Sequence, residues 1–242
     1  MVKDHAKTGN LLKCTGLIGG MSWESTLHYY RIINEEIKEK LGGLNSAPIL
    51  LYSFNFAEIE RLQQIGDWPE AGCLLAEKAV LLEKAGADYL IICTNTMHKV
   101  ADAVEASAGI PLLHIVDPTA KAIREQGFSR VGLLGTSFTM EDDFYKGRLS
   151  RKYGLEVVTP AAEDRKIIHR IIFEELCLGR IMEQSRLEFQ RIIDDLIKKG
   201  AGGVILGCTE ISMLIKPQDA EVPLFDTTEL HAREAANWAV GF

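Results

Sequence analysis

The chain lacks the marks of several large protein classes. Its 242 residues hold only five cysteines, Cys14, Cys73, Cys93, Cys177 and Cys208. That odd number, without C-x-x-C spacing, argues against a disulfide framework and predicts a reducing compartment, the cytoplasm. Basic excess is missing: the net charge is −7, no cationic stripe offsets it, and nucleic acid is not expected as a partner. No apolar run is long enough to span a bilayer. The polar opening Met1 to Lys13 lacks the apolar core of a signal peptide and reads as a mobile arm, so no membrane partner is expected. Gly16-x-x-Gly19-Gly20 has neither the G-x-G-x-x-G spacing nor a Walker lysine, which sets a nucleotide site aside. No metal-ligand spacing connects His98, His114 and His231, and they read as hydrogen-bonded packing residues.

What is present is a repeat. Gly86-Ala87-Asp88-Tyr89-Leu90-Ile91-Ile92-Cys93-Thr94-Asn95-Thr96 aligns without a gap on Gly200-Ala201-Gly202-Gly203-Val204-Ile205-Leu206-Gly207-Cys208-Thr209-Glu210, which places Thr94 on Cys208. Gly16-Leu17-Ile18-Gly19-Gly20-Met21-Ser22 aligns on Gly132-Leu133-Leu134-Gly135-Thr136-Ser137-Phe138 at nearly the same offset. Two copies about 115 residues apart indicate a duplicated domain rather than a solenoid.

Short apolar runs alternate with helical patterns, which predicts an α/β fold of two pseudo-symmetric lobes, each a mostly parallel sheet flanked by helices, with the active site between them. A composition of 47% hydrophobic residues is ample for two buried sheets. Strands are predicted at Cys14 to Ile18, Ile49 to Phe54, Tyr89 to Cys93, Leu112 to Val116, Val131 to Leu134, Glu156 to Thr159, Gly203 to Leu206 and Leu224 to Phe225. Helices are predicted near Glu24 to Lys40, Glu70 to Ala85, Lys99 to Ala108, Thr119 to Gln126, Met140 to Tyr153, Asp164 to Leu178, Arg186 to Lys199 and Thr228 to Val240. Several stop at a glycine, such as Gly86, Gly127 and Gly154, where a left-handed cap is wanted. The first lobe is expected to comprise residues 13–112 plus 226–242 and the second 113–225. The apolar spacing of Leu27, Tyr30 and Ile33 reads first as a core stripe and second as a contact between copies.

In open α/β sheets ligands bind outside the carboxyl ends of the strands. Four such ends gather small hydroxyl and amide groups: Gly19-Gly20-Met21-Ser22, Thr94-Asn95-Thr96, Gly135-Thr136-Ser137 and Cys208-Thr209-Glu210. Any one of them is accounted for by helix capping; four related ones together favour a site for a carboxylate ligand. Cys208, ending a buried strand ahead of a helix, is expected to have its thiolate stabilised there. Cys93 and Thr94 point to opposite faces of a regular strand, and the repeat selects Thr94 as the counterpart of Cys208; a bulge would deliver Cys93 instead.

These motifs, with Thr94-Asn95-Thr96-Met97-His98 and Gly207-Cys208-Thr209-Glu210, resemble the pyridoxal-phosphate-independent aspartate/glutamate racemase family from about Lys13 to the C-terminus. The resemblance implies an amino acid held between two lobes, no cofactor, and acid/base groups facing Cα from opposite sides, with Cys208 as one and Thr94 standing where the family has its other cysteine. It further implies that Met21, Ser22, Asn95, Thr96, Thr136, Thr209 and Glu210 line the pocket, Glu210 opposing the amino group, and that Arg61 and Lys166 receive an acidic side chain, with Gln63 a polar alternative. It also suggests a homodimer. Because a threonine replaces one thiol, a single-cysteine decarboxylase of the same fold and a non-catalytic amino-acid-binding protein stand as alternatives to the racemase.

Overall fold

Alternating apolar runs and helices force parallel strands, since each crossover helix returns the chain to the same end of the sheet. The computed structural model describes residues 12–241; the arm expected at the start lies, up to residue 11, outside them. The first sheet is built by β1 (Thr15–Gly19), α1 (Trp23–Leu41), β2 (Ile49–Ser53), α2 (Phe56–Ile65), α3 (Trp68–Lys84), β3 (Tyr89–Ile92), a 3₁₀ turn (Thr96–Val100) and α4 (Ala101–Ser107). The chain then crosses to α5 (Val116–Glu125), β4 (Arg130–Gly135), α6 (Ser137–Glu141), α7 (Asp143–Tyr153), β5 (Glu156–Val158), α8 (Ala162–Glu174), α9 (Glu183–Lys198), β6 (Val204–Gly207), α10 (Ile211–Leu214), β7 (Leu224–Asp226) and α11 (Thr227–Val240).

Both sheets are parallel throughout, in the orders β2-β1-β3 and β5-β4-β6-β7. The duplication is therefore real at the level of topology: β5-β4-β6 reproduces β2-β1-β3, and the repeated peptides form the neighbouring pairs β1/β3 and β4/β6. The residues of these four strands are buried apart from Arg130, as expected for strands covered on both faces.

Strand alternation sorts the core. In the first sheet Leu17, Tyr89, Ile91 and Cys93 pack with Tyr29 and Ile33 of α1 and Ala232 and Ala235 of α11, while Ile18, Leu90 and Ile92 pack with Leu62, Leu75 and Val104 on the opposite face. In the second, Leu134, Val204 and Leu206 meet Ile168, Phe189 and Ile193, and Val131, Leu133, Ile205 and Phe225 meet Ile123, Tyr145 and Leu149. Helix α11 leaves the second sheet and docks against α1 of the first.

Four local expectations are corrected. Leu112 to Val116 is not a strand: Leu112 makes one parallel bridge to Leu90, and the chain turns into α5 at Val116. The helix α2 had no counterpart in the sequence reading, although Asn55 caps its start by accepting from the Ala57 amide and Gly66 closes it in the left-handed conformation. The stretch from Met140 to Tyr153 is broken at Asp142, whose extended ψ of 158° ends α6 and opens α7. The stripe on α1 divides: Ile33 is core, but Leu27 (58% exposed) and Tyr30 (52%) lie with Trp23 (64%) on the outer face.

Candidate active site

The carboxyl ends of β1, β3, β4, β6 and β7 meet where the sheets face each other. After β1 the chain turns at Gly20, whose φ of 83° and contact with the Phe54 backbone leave no room for a Cβ. Ser22 then caps α1 by accepting from the Ser25 amide, and Met21 is buried among Ile18, Phe54 and Met97. Thr136 caps α6 in the same way, accepting from the Thr139 amide. The lobes are joined by side chains from these ends: Ser22 Oγ donates to Glu210 Oε1 at 2.7 Å, and the hydroxyls of Thr96 and Thr136 lie 3.1 Å apart. The end of β1 thus meets the end of β6, and the end of β4 meets that of β3, the exchange that pseudo-twofold symmetry requires.

Glu210 organises the second-lobe side. Its Oε2 accepts from the Cys208 thiol at 3.0 Å and from the Thr209 hydroxyl at 2.6 Å, while Oε1 holds Ser22. Cys208 is 8% exposed. Its thiol is not acidified, contrary to the expectation of a stabilised thiolate: burial pushes its pKa well above the ordinary value, and the negative charge of Glu210 pushes it further. The helix that follows is the single turn α10, too short to supply a dipole that would offset this. Cys208 therefore rests as a thiol hydrogen-bonded to the Glu210 side chain.

On the first-lobe side Cys93 is fully buried among Leu17, Tyr29 and Ile91, and burial raises its pKa far above the usual thiol range. Thr94, the next residue, is partly exposed. Its carbonyl accepts from Nδ1 of His98 at 2.8 Å. Asn95 is buried, with Nδ2 donating to Thr227 Oγ1 at 2.9 Å. Thr227 spends its own proton on the Leu206 carbonyl, so it can only accept here, which fixes the orientation of the Asn95 amide. Asn95 Oδ1 is left buried without a hydrogen-bond partner, an acceptor suited to an incoming ammonium group.

A cavity of about 520 Å³ between α2 and α8 adjoins this centre, lined by Glu60, Gln63, Gln64, Phe138, His169 and Arg170 among others. Gln63, nearly buried, donates to Met97 Sδ at 3.1 Å, and the Ser137 amide donates to His169 Nδ1 at 3.2 Å. Arg61 and Lys166 are not brought to the centre. Arg61 is exposed, one residue ahead of the inward pair Leu62 and Gln63, and Lys166 is an exposed partner of Glu163. Arg170, one turn beyond Lys166, is the cation that lines the cavity, and it is itself exposed and paired with Glu174 and Glu175. Arg170, His169 and Phe138, which line the cavity, and Thr227, which holds Asn95, were not singled out from the sequence; the i+4 spacing from Lys166 to Arg170 was the available signal for one of them.

Among the described residues no group of three or more His, Cys, Asp or Glu is arranged to hold a metal ion, and no helix is long and apolar enough to cross a membrane. Residues 18–235 match the model of the family described as Asp/Glu/Hydantoin racemase. A candidate Asp/Glu racemase of known structure from Yersinia pestis is 56% identical, with a TM-score of 0.89 over 94% of this chain and 99% of that one. An aspartate racemase homologue from Pyrococcus horikoshii OT3 is 38% identical, with a TM-score of 0.81 over the same shares. The broad specificity amino-acid racemase RacX of Bacillus subtilis (strain 168) is 24% identical over 171 residues, 71% of this chain and 73% of that one. With the duplicated sheets, the facing strand ends and these likenesses in agreement, the chain belongs to the Asp/Glu/hydantoin racemase family and is an isomerase of the amino-acid racemase type.

Proposed function

We propose that this racemase inverts aspartate, glutamate or a broader set of amino acids without a cofactor, Cys208 serving one face of Cα and Thr94 the other. The observation that carries the reading is the buried Cys208 thiol donating to Glu210 at the junction of two related sheets, at the repeat position equivalent to Thr94. Transfer of the thiol proton to Glu210 leaves a thiolate that removes the Cα proton. The substrate carboxylate takes up the resulting charge, the Thr94 hydroxyl returns a proton from the opposite face, and water carries the proton held by Glu210 back to Thr94, restoring both side chains. Asn95 Oδ1 receives the ammonium group, while Ser22, Thr96, Thr136 and Thr209 surround the α-carboxylate. Side-chain carboxylate recognition falls to Arg170 beside Gln63.

The two faces are unequal. A hydroxyl is far less acidic than a thiol, and each pKa unit of mismatch costs about 1.4 kcal/mol in the transfer equilibrium, so exchange on the Thr94 face is the slower. This asymmetry is kinetic, since no catalyst shifts the equilibrium between enantiomers. The presence of one thiol at the paired positions also favours a second reading, decarboxylation with one-sided protonation by Cys208.

Incubation with L- and D-amino acids in D₂O without added cofactor decides between them. Cα deuteration supports racemase chemistry; CO₂ release from a malonate derivative without Cα exchange sinks it in favour of the decarboxylase, and tight binding without reaction favours a binding protein. The lobes act as units of residues 13–112 plus 226–242 and 113–225 in a cytoplasmic enzyme. The exposed Trp23, Leu27 and Tyr30 of α1 join two copies in a homodimer, which a monomer in sedimentation would refute.

A further inference from the structure

Three buried histidines occupy the place where the chain passes from one sheet to the other, and the reaction as derived uses none of them. His98 lies 4.5 Å from His114 and 5.8 Å from His231, centroid to centroid. Each ring is tied to backbone or to a buried hydroxyl. His231, on α11, has Nε2 at 2.8 Å from the Leu113 carbonyl and Nδ1 at 2.9 Å from the Tyr29 hydroxyl. His114 Nδ1 accepts from the Val116 amide at 3.2 Å. His98 spans two backbone groups of fixed sense: the Thr94 carbonyl, which can only accept, at Nδ1, and the Ile115 amide, which can only donate, at Nε2 and 3.2 Å. The tautomer is thereby determined as neutral Nδ1–H, and a proton on Nε2 would face the Ile115 N–H.

The consequence concerns Thr94. Strand β3 ends at Ile92, and the last ladder-like bond beyond it runs from the Cys93 amide to the Ile18 carbonyl. Thr94 itself is held by His98, and through that ring by the crossing segment at Ile115. We propose that His98 is a positioning residue for Thr94: its imidazole bridges the Thr94 carbonyl to the interlobe crossing, and so sets where the threonine hydroxyl stands relative to Cα. This rests on the proposed role of Thr94.

The test measures Cα exchange in D₂O for each enantiomer separately, in wild type, Thr94→Ala, His98→Asn and His98→Gln. The enantiomer slowed by Thr94→Ala defines the Thr94 face. Asn places an amide N–H near the position of Nδ1 and retains the Thr94 bond; Gln reaches toward Nε2 and loses it. Exchange on the Thr94 face, relative to the other, is expected to fall roughly tenfold or more in His98→Gln, the scale of a small misplacement of a reacting group, and by less in His98→Asn, which keeps the Thr94 bond and loses only the Ile115 anchor. A purely structural histidine would lower both faces together in His98→Gln, and that result, or an unchanged ratio, overturns the proposal. If Thr94→Ala leaves both rates intact, the role of Thr94 fails and this inference falls with it; a face-selective Thr94→Ala with an indifferent His98→Gln overturns the inference alone. Imidazole ¹⁵N shifts of the wild-type protein supply a readout independent of activity and of variant folding: neutral Nδ1–H at pH 6 is expected, and Nε2–H or imidazolium at His98 refutes the bridge.

Discussion

Replacing Glu210 by glutamine tests whether its carboxylate takes the Cys208 proton or only holds neighbours in place. The carboxylate accepts three donors, from Ser22, Cys208 and Thr209. A glutamine that keeps its oxygen toward Cys208 and Thr209 turns its NH₂ to Ser22 Oγ, whose hydroxyl can rotate to accept. All three bonds lose their charge assistance, a stability loss of about 1–3 kcal/mol. The chemical loss is larger, because removing a positioned base costs about 10²–10⁴ in rate, or roughly 3–5 kcal/mol in barrier. Glu210→Gln also removes a negative charge that opposes thiolate formation, so the thiol pKa moves down and solvent base replaces part of the function as pH rises. In D₂O at pH 7, exchange on the Cys208 face is expected to fall about 10²–10⁴-fold and to recover partly by pH 9, with the Thr94 face less affected. A loss below about threefold, or an equal loss on both faces at every pH, would refute the role of Glu210 as proton acceptor.

Cys208→Ala should abolish exchange from its own face, whereas Thr94→Cys should bring the exchange rates of the two enantiomers closer together; unchanged asymmetry in Thr94→Cys, measured before equilibrium, would contradict the opposed-face arrangement. Cys93→Ala, which empties a thiol-sized volume in the α1/α11 core, should cost about 1 kcal/mol in denaturant unfolding and leave exchange near wild type; loss of exchange with Thr94→Ala silent would make Cys93 the partner of Cys208. Succinate should raise Tm, an effect lost in Arg170→Ala and kept in Arg61→Ala and Lys166→Ala; the reverse pattern would restore the latter pair to the site. Burial lowers the His231 pKa from 6.5 to about 4, so the unfolded chain binds the proton first. The stabilisation is whole above pH 6.5 and is lost as pH falls to about 4, about 3 kcal/mol for this residue at about 1.4 kcal/mol per pH unit. His114, lowered to about 2, steepens the loss, while Asp226, whose carboxyl is raised by burial, opposes it near its own titration. Urea midpoints that do not change between pH 6.5 and 4.5 would show that the histidines are not buried neutral.

The sequence by itself determined the duplication and its topological meaning. Spacing and composition of the repeated peptides were enough to align Thr94 with Cys208 and to name the strand ends, because strand burial and strand-end position are local consequences of a short apolar run stopped by glycine and hydroxyl residues. Cys93 continues the buried face of Tyr89 and Ile91, as a period of two requires, whereas Thr94 lies beyond the strand end at Ile92 and is partly exposed. Tertiary structure decided everything that depends on which distant groups meet. The resting state of Cys208 is set by burial and by Glu210, a balance of desolvation and charge that no local pattern encodes. Arg170 rather than Lys166 lines the cavity because the two share a face of α8 and the axial position of that helix against α2 chooses between them. The joining of His98 to Ile115, and of His231 to Leu113 and Tyr29, likewise exists only once α11 has returned across the first sheet.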